Sequence, residues 1–331
     1  MITISLCMIV KDEADILARC LDSVAEIMDE IVIVDTGSAD RTKEVAARYT
    51  DKIFDFTWIN DFAAARNFAF SKAECDYIYS ADADEVMDEL NRKRFKELKK
   101  SIDVGIEVVQ MYYVNQLKFG TVYNFDREYR PKLFKRNRIF TWIDPIHETI
   151  RLYPVVFDSE IEIIHQPKES HASRDFSVFW HMTESEKVLS KRLHNLYARE
   201  LMIAGNDDDF LRAADYFEIS VTNPEYELEQ VKEAACIIAR AARISNDTAK
   251  FFKFAMKDIA SEGCSEICCE LGEYYRARDD IHEAVVWFYN AAFETASILD
   301  IRCSKEIPLK ALSECYKLLG MDEDAEKLDL P

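Results

Sequence analysis

Tyr77-Ile78-Tyr79-Ser80-Ala81-Asp82-Ala83-Asp84-Glu85 is an apolar, β-favouring run that turns into three acids, two of them spaced i, i+2. On a strand, residues i and i+2 point to the same face. At the carboxyl end of a buried strand such a pair leaves the core for the crevice in which ligands of α/β sheets bind. Two hard oxygen ligands there suit Mg²⁺ or Mn²⁺, which usually keeps some waters and bridges a substrate diphosphate. Taken alone, the stretch reads first as an acidic turn after a strand, since acids are common on surfaces. Its neighbours reverse that reading.

Upstream, residues 2–10 read as a buried strand followed by Lys11-Asp12-Glu13. Ile16, Leu17, Cys20, Leu21 and Val24 then recur at helical spacing, with Asp12 available as the N-cap. Ile31-Val32-Ile33-Val34 is a continuous β-branched run, typical of a parallel strand covered on both faces. It ends in Asp35-Thr36-Gly37-Ser38-Ala39-Asp40, where Gly37 supplies a tight turn and Ser38 or Asp40 can cap the helix carrying Val45 and Ala46. A third strand is expected at residues 53–58. Asn60 or Asp61 then caps an alanine-rich helix with Arg66 and Asn67, and residues 76–80 form the fourth strand. Strand–helix alternation with short connections predicts a mainly parallel, doubly wound sheet. Acids then line one edge of it: Asp12 and Glu13, Asp35, and Asp82 with Asp84. Neither GxGxxG nor GxxxxGK occurs, which excludes the usual dinucleotide and P-loop readings.

A chain of 331 residues points to about two domains. With 49% hydrophobic and 31% charged residues it can bury a sizeable core. A net charge of −20 argues against nucleic-acid binding and against adhesion to anionic membranes. Solubility accounts for that charge as well as an electrostatic choice of a basic partner does. Residues 1–10 lack a basic n-region and a cleavage site and read as a strand, and no run reaches the roughly 20 apolar residues of a membrane span. Nine cysteines without paired spacing predict a reducing, cytoplasmic setting. Cys264, Cys268 and Cys269 share about one helical face, but without a CxxC pair they read as buried thiols rather than metal ligands.

Three segments, Met8-Ile9-Val10-Lys11-Asp12-Glu13, Ile31-Val32-Ile33-Val34-Asp35-Thr36-Gly37-Ser38-Ala39-Asp40-Arg41-Thr42 and Ala81-Asp82-Ala83-Asp84-Glu85, resemble in content, order and spacing the hallmarks of family 2 glycosyltransferases of the GT-A fold. The resemblance covers about residues 1–170. It implies a UDP-sugar donor and a divalent metal, Mn²⁺ or Mg²⁺. By it, Asp35 contacts the uracil or ribose, Asp82 holds the ribose or a metal-bound water, and Asp84 binds the metal. Val10, Lys11, Asp12 and Glu13 border the base pocket, and Arg66 meets the diphosphate. Helix capping or turn formation remains the plainer role for Asp12 and Asp35, and a surface ion pair for Arg66.

Beyond the acids, residues 105–115 form a strand and Tyr129-Arg130-Pro131-Lys132-Leu133-Phe134-Lys135-Arg136 another, which resembles the acceptor-side strand of the family. His147-Glu148 is the expected place of the catalytic base, although many family 2 enzymes carry Glu-Asp or Asp there. The chain instead resembles a subset with His-Glu that includes enzymes glycosylating peptides on sulfur or oxygen. Two assignments stay open: His147 is the base, or His147 completes the metal site while Glu148 is the base. A hydrogen-bonded histidine at a strand end is the plain alternative. Ile161-Glu162-Ile163-Ile164-His165 closes the domain, with His165 as a further candidate ligand for metal or diphosphate. Residues 170–176 have the polarity of a loop, in which His171 and Arg174 are weak phosphate candidates.

From about Ser177 helical periodicity takes over. Residues 184–204 predict one long helix stopped by Gly205, and Asp207-Asp208-Asp209 opens the next, as acids at a positive dipole end do. Leu271-Gly272-Glu273-Tyr274-Tyr275 with Ala284, Phe288 and Ala291 resembles a tetratricopeptide hairpin, and residues 312–320 part of a degenerate one. Trp287-Phe288-Tyr289 reads as core. The expected organisation is an α/β GT-A domain at 1–176, a connecting helix at 177–205 and an all-α tetratricopeptide-like domain at 206–331. The expected activity is metal-dependent, inverting transfer of a hexose or N-acetylhexosamine to a hydroxyl or thiol, with the helical part docking a peptide or protein acceptor or a second copy of the chain. Two rivals are a saccharide-acceptor transferase and a non-catalytic scaffold with a relic transferase domain.

Overall fold

All side chains of the first strand, β1 (Ile4–Val10), are buried except Ile9, which marks it as an interior strand covered on both faces. In the computed structural model, which describes residues 1–114, 127–150, 154–167, 172–184, 188–260 and 262–328, β1 is flanked by two parallel neighbours. One is β2 (Glu30–Asp35), running from Ser5 opposite Glu30 to Val10 opposite Asp35. The other is β4 (Tyr77–Ser80), running from Ile4 opposite Tyr77 to Cys7 opposite Ser80. The remaining strands of the sheet are β3 (Ile53–Asp55), β5 (Glu85–Val86), β6 (Val108–Val114), β7 (Arg127–Lys135) and β10 (Val156–His165). Their order is β3-β2-β1-β4-β7-β6-β10-β5. The pairings β4–β7, β7–β6 and β10–β5 are antiparallel and the other four parallel, so the sheet is mainly parallel, as expected. Strands β8 (Trp142–Ile143) and β9 (Thr149–Ile150) form a separate hairpin pair.

Helices α1 (Leu17–Val24), α2 (Thr42–Ala46), α3 (Phe62–Phe70) and α4 (Glu89–Ser101) alternate with these strands. One face of the sheet packs Leu6, Met8, Tyr77, Tyr79, Val109 and Leu133 in a single large cluster with Leu17, Leu21 and Phe95 from the helices. On the other face Cys7, Val32, Val34 and Ile78 meet Ala69, and Val108 and Phe134 meet Ala63 and Trp142. Alternation along β1 and β4 sends successive side chains to the two clusters.

The chain divides into two compact units, Met1–Val178 and Phe179–Pro331, with the boundary inside α5 (Ala172–Glu184). Among the described residues the second unit is all helical: α6 (Lys191–Ala204), α7 (Asp207–Ser220), α8 (Leu228–Ile244), α9 (Thr248–Ile259), α10 (Ser265–Arg276), α11 (Ile281–Tyr289), α12 (Glu306–Leu318) and α13 (Asp322–Glu326). An α/β part followed by an all-α part is what the periodicities predict. At Gly272 an added Cβ would lie 2.6 Å from the Phe288 ring, so α10 and α11 approach as closely as only glycine permits.

Several local expectations are corrected. Residues 184–204 are not one helix: Ser190 caps α6 by accepting from Leu193 N–H (3.3 Å), and residues 188–190 are not helical. Residues 172–176 are helix, not loop, while residues 168–171, including His171, lie outside the described residues. Strand β3 stops at Asp55, short of residue 58. Asp12 does not cap α1, whose N-cap is Ile16 without a side-chain bond. Of Trp287-Phe288-Tyr289 only Phe288 is core, and Tyr289 is 45% exposed. Asp61, by contrast, caps α3 as predicted, accepting from Ala64 N–H at 2.8 Å.

Candidate active site

The carboxyl ends of β1, β2 and β4 carry the first group of candidate residues. Asp35 ends β2 with 1% exposure. Its Oδ1 accepts from Gly37 and Ser38 N–H (3.0 Å each), the turn that Gly37 permits with φ at 107°. Its Oδ2 is buried with no hydrogen-bond partner among the described residues. Lys43 Nζ approaches Asp35 to 3.8 Å. Asp12, in the left-handed region at φ 55°, laces the loop after β1 to the loop after β2. Its Oδ1 accepts from Ala39 N–H (2.7 Å), and its own N–H donates to Ser38 Oγ (2.9 Å). Neither cap proposed for α2 forms as such: Ser38 serves Asp12, and Asp40 accepts from Thr42 N–H (2.8 Å) and Ala14 N–H (3.1 Å). Val10 is buried, its carbonyl accepting from Thr36 N–H at 2.9 Å. Lys11 is exposed, and Glu13 N–H donates to Thr42 Oγ1 at 2.8 Å.

At the acid turn each carboxylate meets a different nitrogen partner. Arg66 Nη2 donates to Asp82 Oδ1 at 2.8 Å. Burial opposes the charge of Asp82, yet the guanidinium overcomes it and holds the carboxyl below its usual range. Asp84, 8% exposed, has Oδ2 3.2 Å from His165 Nε2. Glu85, 2% exposed, is bonded to Lys132, itself 6% exposed. Burial pushes the Glu85 carboxyl up to about 7, with Lys132 opposing. The sheet makes the middle pairing possible: β5 returns antiparallel to β10, with Glu85 opposite His165, and Gln166 N–H donates to the Asp84 carbonyl at 2.8 Å.

Arg66, for which a diphosphate contact or a surface ion pair is expected, is held by side chains of the protein. Besides Asp82 it donates through Nε to Glu148 and through Nη1 to Ser80 Oγ (3.0 Å), and it lies 5.3 Å from the Trp142 ring centre. It thus ties α3, the end of β4 and the His147-Glu148 segment together. That segment is fixed again by Asn67, which exchanges two 2.9 Å bonds with the Trp142 backbone, and by Phe62 N–H donating to Pro145 O at 2.8 Å. His147 is half-buried, with φ at 48°. A left-handed conformation at such a residue costs roughly 1–2 kcal/mol and gathers at functional sites. Arg174 lies with its guanidinium 4.8 Å from the Phe62 ring centre.

An Mn²⁺ or Mg²⁺ ion fits the donor set at Asp84 and His165. Among the described residues no three or more His, Cys, Asp or Glu are grouped to hold a metal. One carboxylate and one imidazole do suit an ion that completes its shell with water and phosphate oxygens. Lys132, Ser80 and Trp142 escaped the sequence reading as site residues. A lysine inside the otherwise apolar run Pro131–Phe134 was the available signal, since a lysine buried in a sheet needs a counter-charge.

Residues 5–162 match the sequence model of Glycosyl transferase family 2. A TPR repeat-containing protein of Synechococcus elongatus is 46% identical over 103 residues, covering 31% of this chain and 25% of the relative. The glycosyltransferase SunS of the SPbeta prophage in Bacillus subtilis is 26% identical over 235 residues, covering 67% of this chain and 54% of the relative. The chain therefore spans a quarter to about half of these relatives' lengths. Among solved structures, glucosyl-3-phosphoglycerate synthase of Mycobacterium tuberculosis, in complex with Mn²⁺ and UDP-glucose, aligns with a TM-score of 0.41 at 12% identity over 57% of this chain and 81% of that one. Among the described residues no helix is long and apolar enough to cross a membrane. Residues 5–162, within the α/β part of the molecule, are thus similar to family 2 glycosyltransferases, and a helical part follows.

Proposed function

We propose that the protein transfers a hexose or N-acetylhexosamine from a UDP-sugar to a hydroxyl or thiol of a peptide or protein, with inversion at the anomeric carbon. The observation that carries this reading is the pairing at the acid turn, Asp82 with Arg66 and Asp84 with His165, on the same sheet edge as the buried Asp35 oxygen. The family domain supports the reaction class. The helical part supports a peptide acceptor over a lipid, since stacked hairpins offer extended binding surfaces.

In this reading Asp35 Oδ2 accepts a hydrogen bond from the uracil or ribose. Asp84 and His165 hold Mn²⁺ or Mg²⁺, which when bound offsets charge on the leaving diphosphate. Asp82, oriented by Arg66, faces the ribose. His147 takes the acceptor proton as the acceptor attacks opposite the departing UDP, a step in which a placed base contributes about 10²–10⁴ in rate. Glu148 is engaged by Arg66, which suits it to orienting this segment.

Calorimetry of UDP binding with and without Mn²⁺ tests the assignment. Asp35→Ala should weaken UDP roughly 10- to 100-fold in both conditions, the worth of about 1.5–3 kcal/mol for a bond to a charged group. Asp84→Ala should remove only the gain that Mn²⁺ gives. Wild-type protein that binds no UDP in either condition would refute the donor assignment.

A further inference from the structure

The thiols that the sequence places on one face of α10 meet partners from other elements. Cys264 is the N-cap residue of α10, and its Sγ lies 3.5 Å from the Sγ of Cys236 on α8, 28 residues earlier in the chain. The two residues are 2% and 0% exposed. Cys269 donates instead to the Cys303 carbonyl at 3.3 Å, and Cys268 accepts from Thr295 Oγ1 at 3.9 Å. All nine cysteines are free thiols. The two in contact are not equivalent. The bond to Cys264, together with burial, holds the Cys236 thiol well above its usual range. That same bond favours the Cys264 thiolate, as the Ile267 N–H does, but burial and the charges of Glu266 and Asp258 outweigh them and keep this thiol up as well. Cys264 also stands at the positive end of a helix, which favours a thiolate. It follows the exposed residues Ala260 and Glu262, whereas Cys236 lies in the middle of α8. Cys264 is thus the thiol that ionises first and that solvent reaches first.

We propose that Cys236 and Cys264 form a redox-modification site, which a small-molecule disulfide converts to a protein disulfide tying α8 to the start of α10. With glutathione disulfide as oxidant, the Cys264 thiolate attacks one of its sulfurs, forming a mixed disulfide and releasing one glutathione thiolate. Cys236, as its thiolate, then attacks the Cys264 sulfur, forming the Cys236–Cys264 bond and releasing the second glutathione thiolate. The two thiol protons end on the two released glutathiones, and the two electrons lost by the pair reduce the oxidant. The second step joins atoms that are already in contact, so it outruns capture of a further oxidant molecule.

The test is overnight incubation of the reduced chain with excess glutathione disulfide at mildly alkaline pH, followed by trapping of free thiols with N-ethylmaleimide and peptide mapping by mass spectrometry. Cys75, the one cysteine that is not buried, reports an active oxidant by taking up glutathione. The expected product is a Cys236–Cys264 linkage reversed by dithiothreitol, with Cys268, Cys269 and Cys303 still thiols. The urea midpoint of the oxidised chain, read in a Cys75→Ser background, should rise, because a cross-link that fits the folded geometry stabilises it. Cys236→Ser should leave a mixed disulfide on Cys264, and Cys264→Ser should leave Cys236 a thiol. Should either variant fail to fold, mapping of the wild-type chain decides alone. Glutathione on Cys75 with Cys236 and Cys264 both still thiols would overturn the inference, as would a linkage to another cysteine or a lowered midpoint.

Discussion

His147 stands where backbone strain and chemistry coincide. Its φ of 48° is one that glycine adopts without steric penalty. His147→Gly is therefore expected to hold or raise the free energy of unfolding in urea while turnover falls roughly 10²–10⁴-fold. Loss of stability in that variant would return the residue to a structural role. A second residue-scale prediction concerns pH. Thr3 donates twice to Asp76, from N–H and Oγ (2.8 Å each), and these bonds hold the Asp76 carboxyl below its usual range. A depressed folded pKa contributes stability that is complete above the unfolded value, about 3.9, and is lost as pH falls through the folded one. Asp76→Asn should flatten the fall of the urea midpoint below about pH 4, and an unchanged acid limb would contradict it. At this scale the sequence marked positions better than partners. Asp35, Asp82 and Asp84 were singled out by their places after strands. The three-way grip of Arg66 and the Lys132–Glu85 pair were hidden, because they join residues far apart in sequence through a sheet register and a bulge.

Elements were legible where one period dominated. The buried runs of β1, β2 and β4 and the alternation around them sufficed for a mainly parallel sheet. Boundaries failed where a cap or a short break decided them. Ser190 starts a new helix inside an unbroken apolar pattern, and β3 ends early because its continuation makes no ladder. Two substitutions test the packing so described. Asp61→Ala removes the cap of α3, the helix that carries Arg66, and should cost about 1 kcal/mol of stability in urea titration. Gly272→Ala places a methyl 2.6 Å from the Phe288 ring and should cost roughly 1–3 kcal/mol, confined to the helical unit. A neutral Gly272→Ala would mean that α10 and α11 are not held that closely.

At the scale of the whole molecule the sheet unit has a large core cluster, and α11 and α12 pack another within the helical unit. UDP with Mn²⁺ at about 100 times its dissociation constant should stabilise the sheet unit by about 2.7 kcal/mol. A scan in which the sheet unit does not shift would contradict that binding. The central proposal is that the acid turn serves metal-dependent transfer from a UDP-sugar. The most direct measurement is UDP release by the purified chain with Mn²⁺ across a panel of UDP-sugars, beside Asp84→Ala and beside added chelator. The account predicts slow hydrolysis of one donor, abolished by chelator and by the substitution. Turnover that survives both, or no turnover together with no UDP binding, would contradict it.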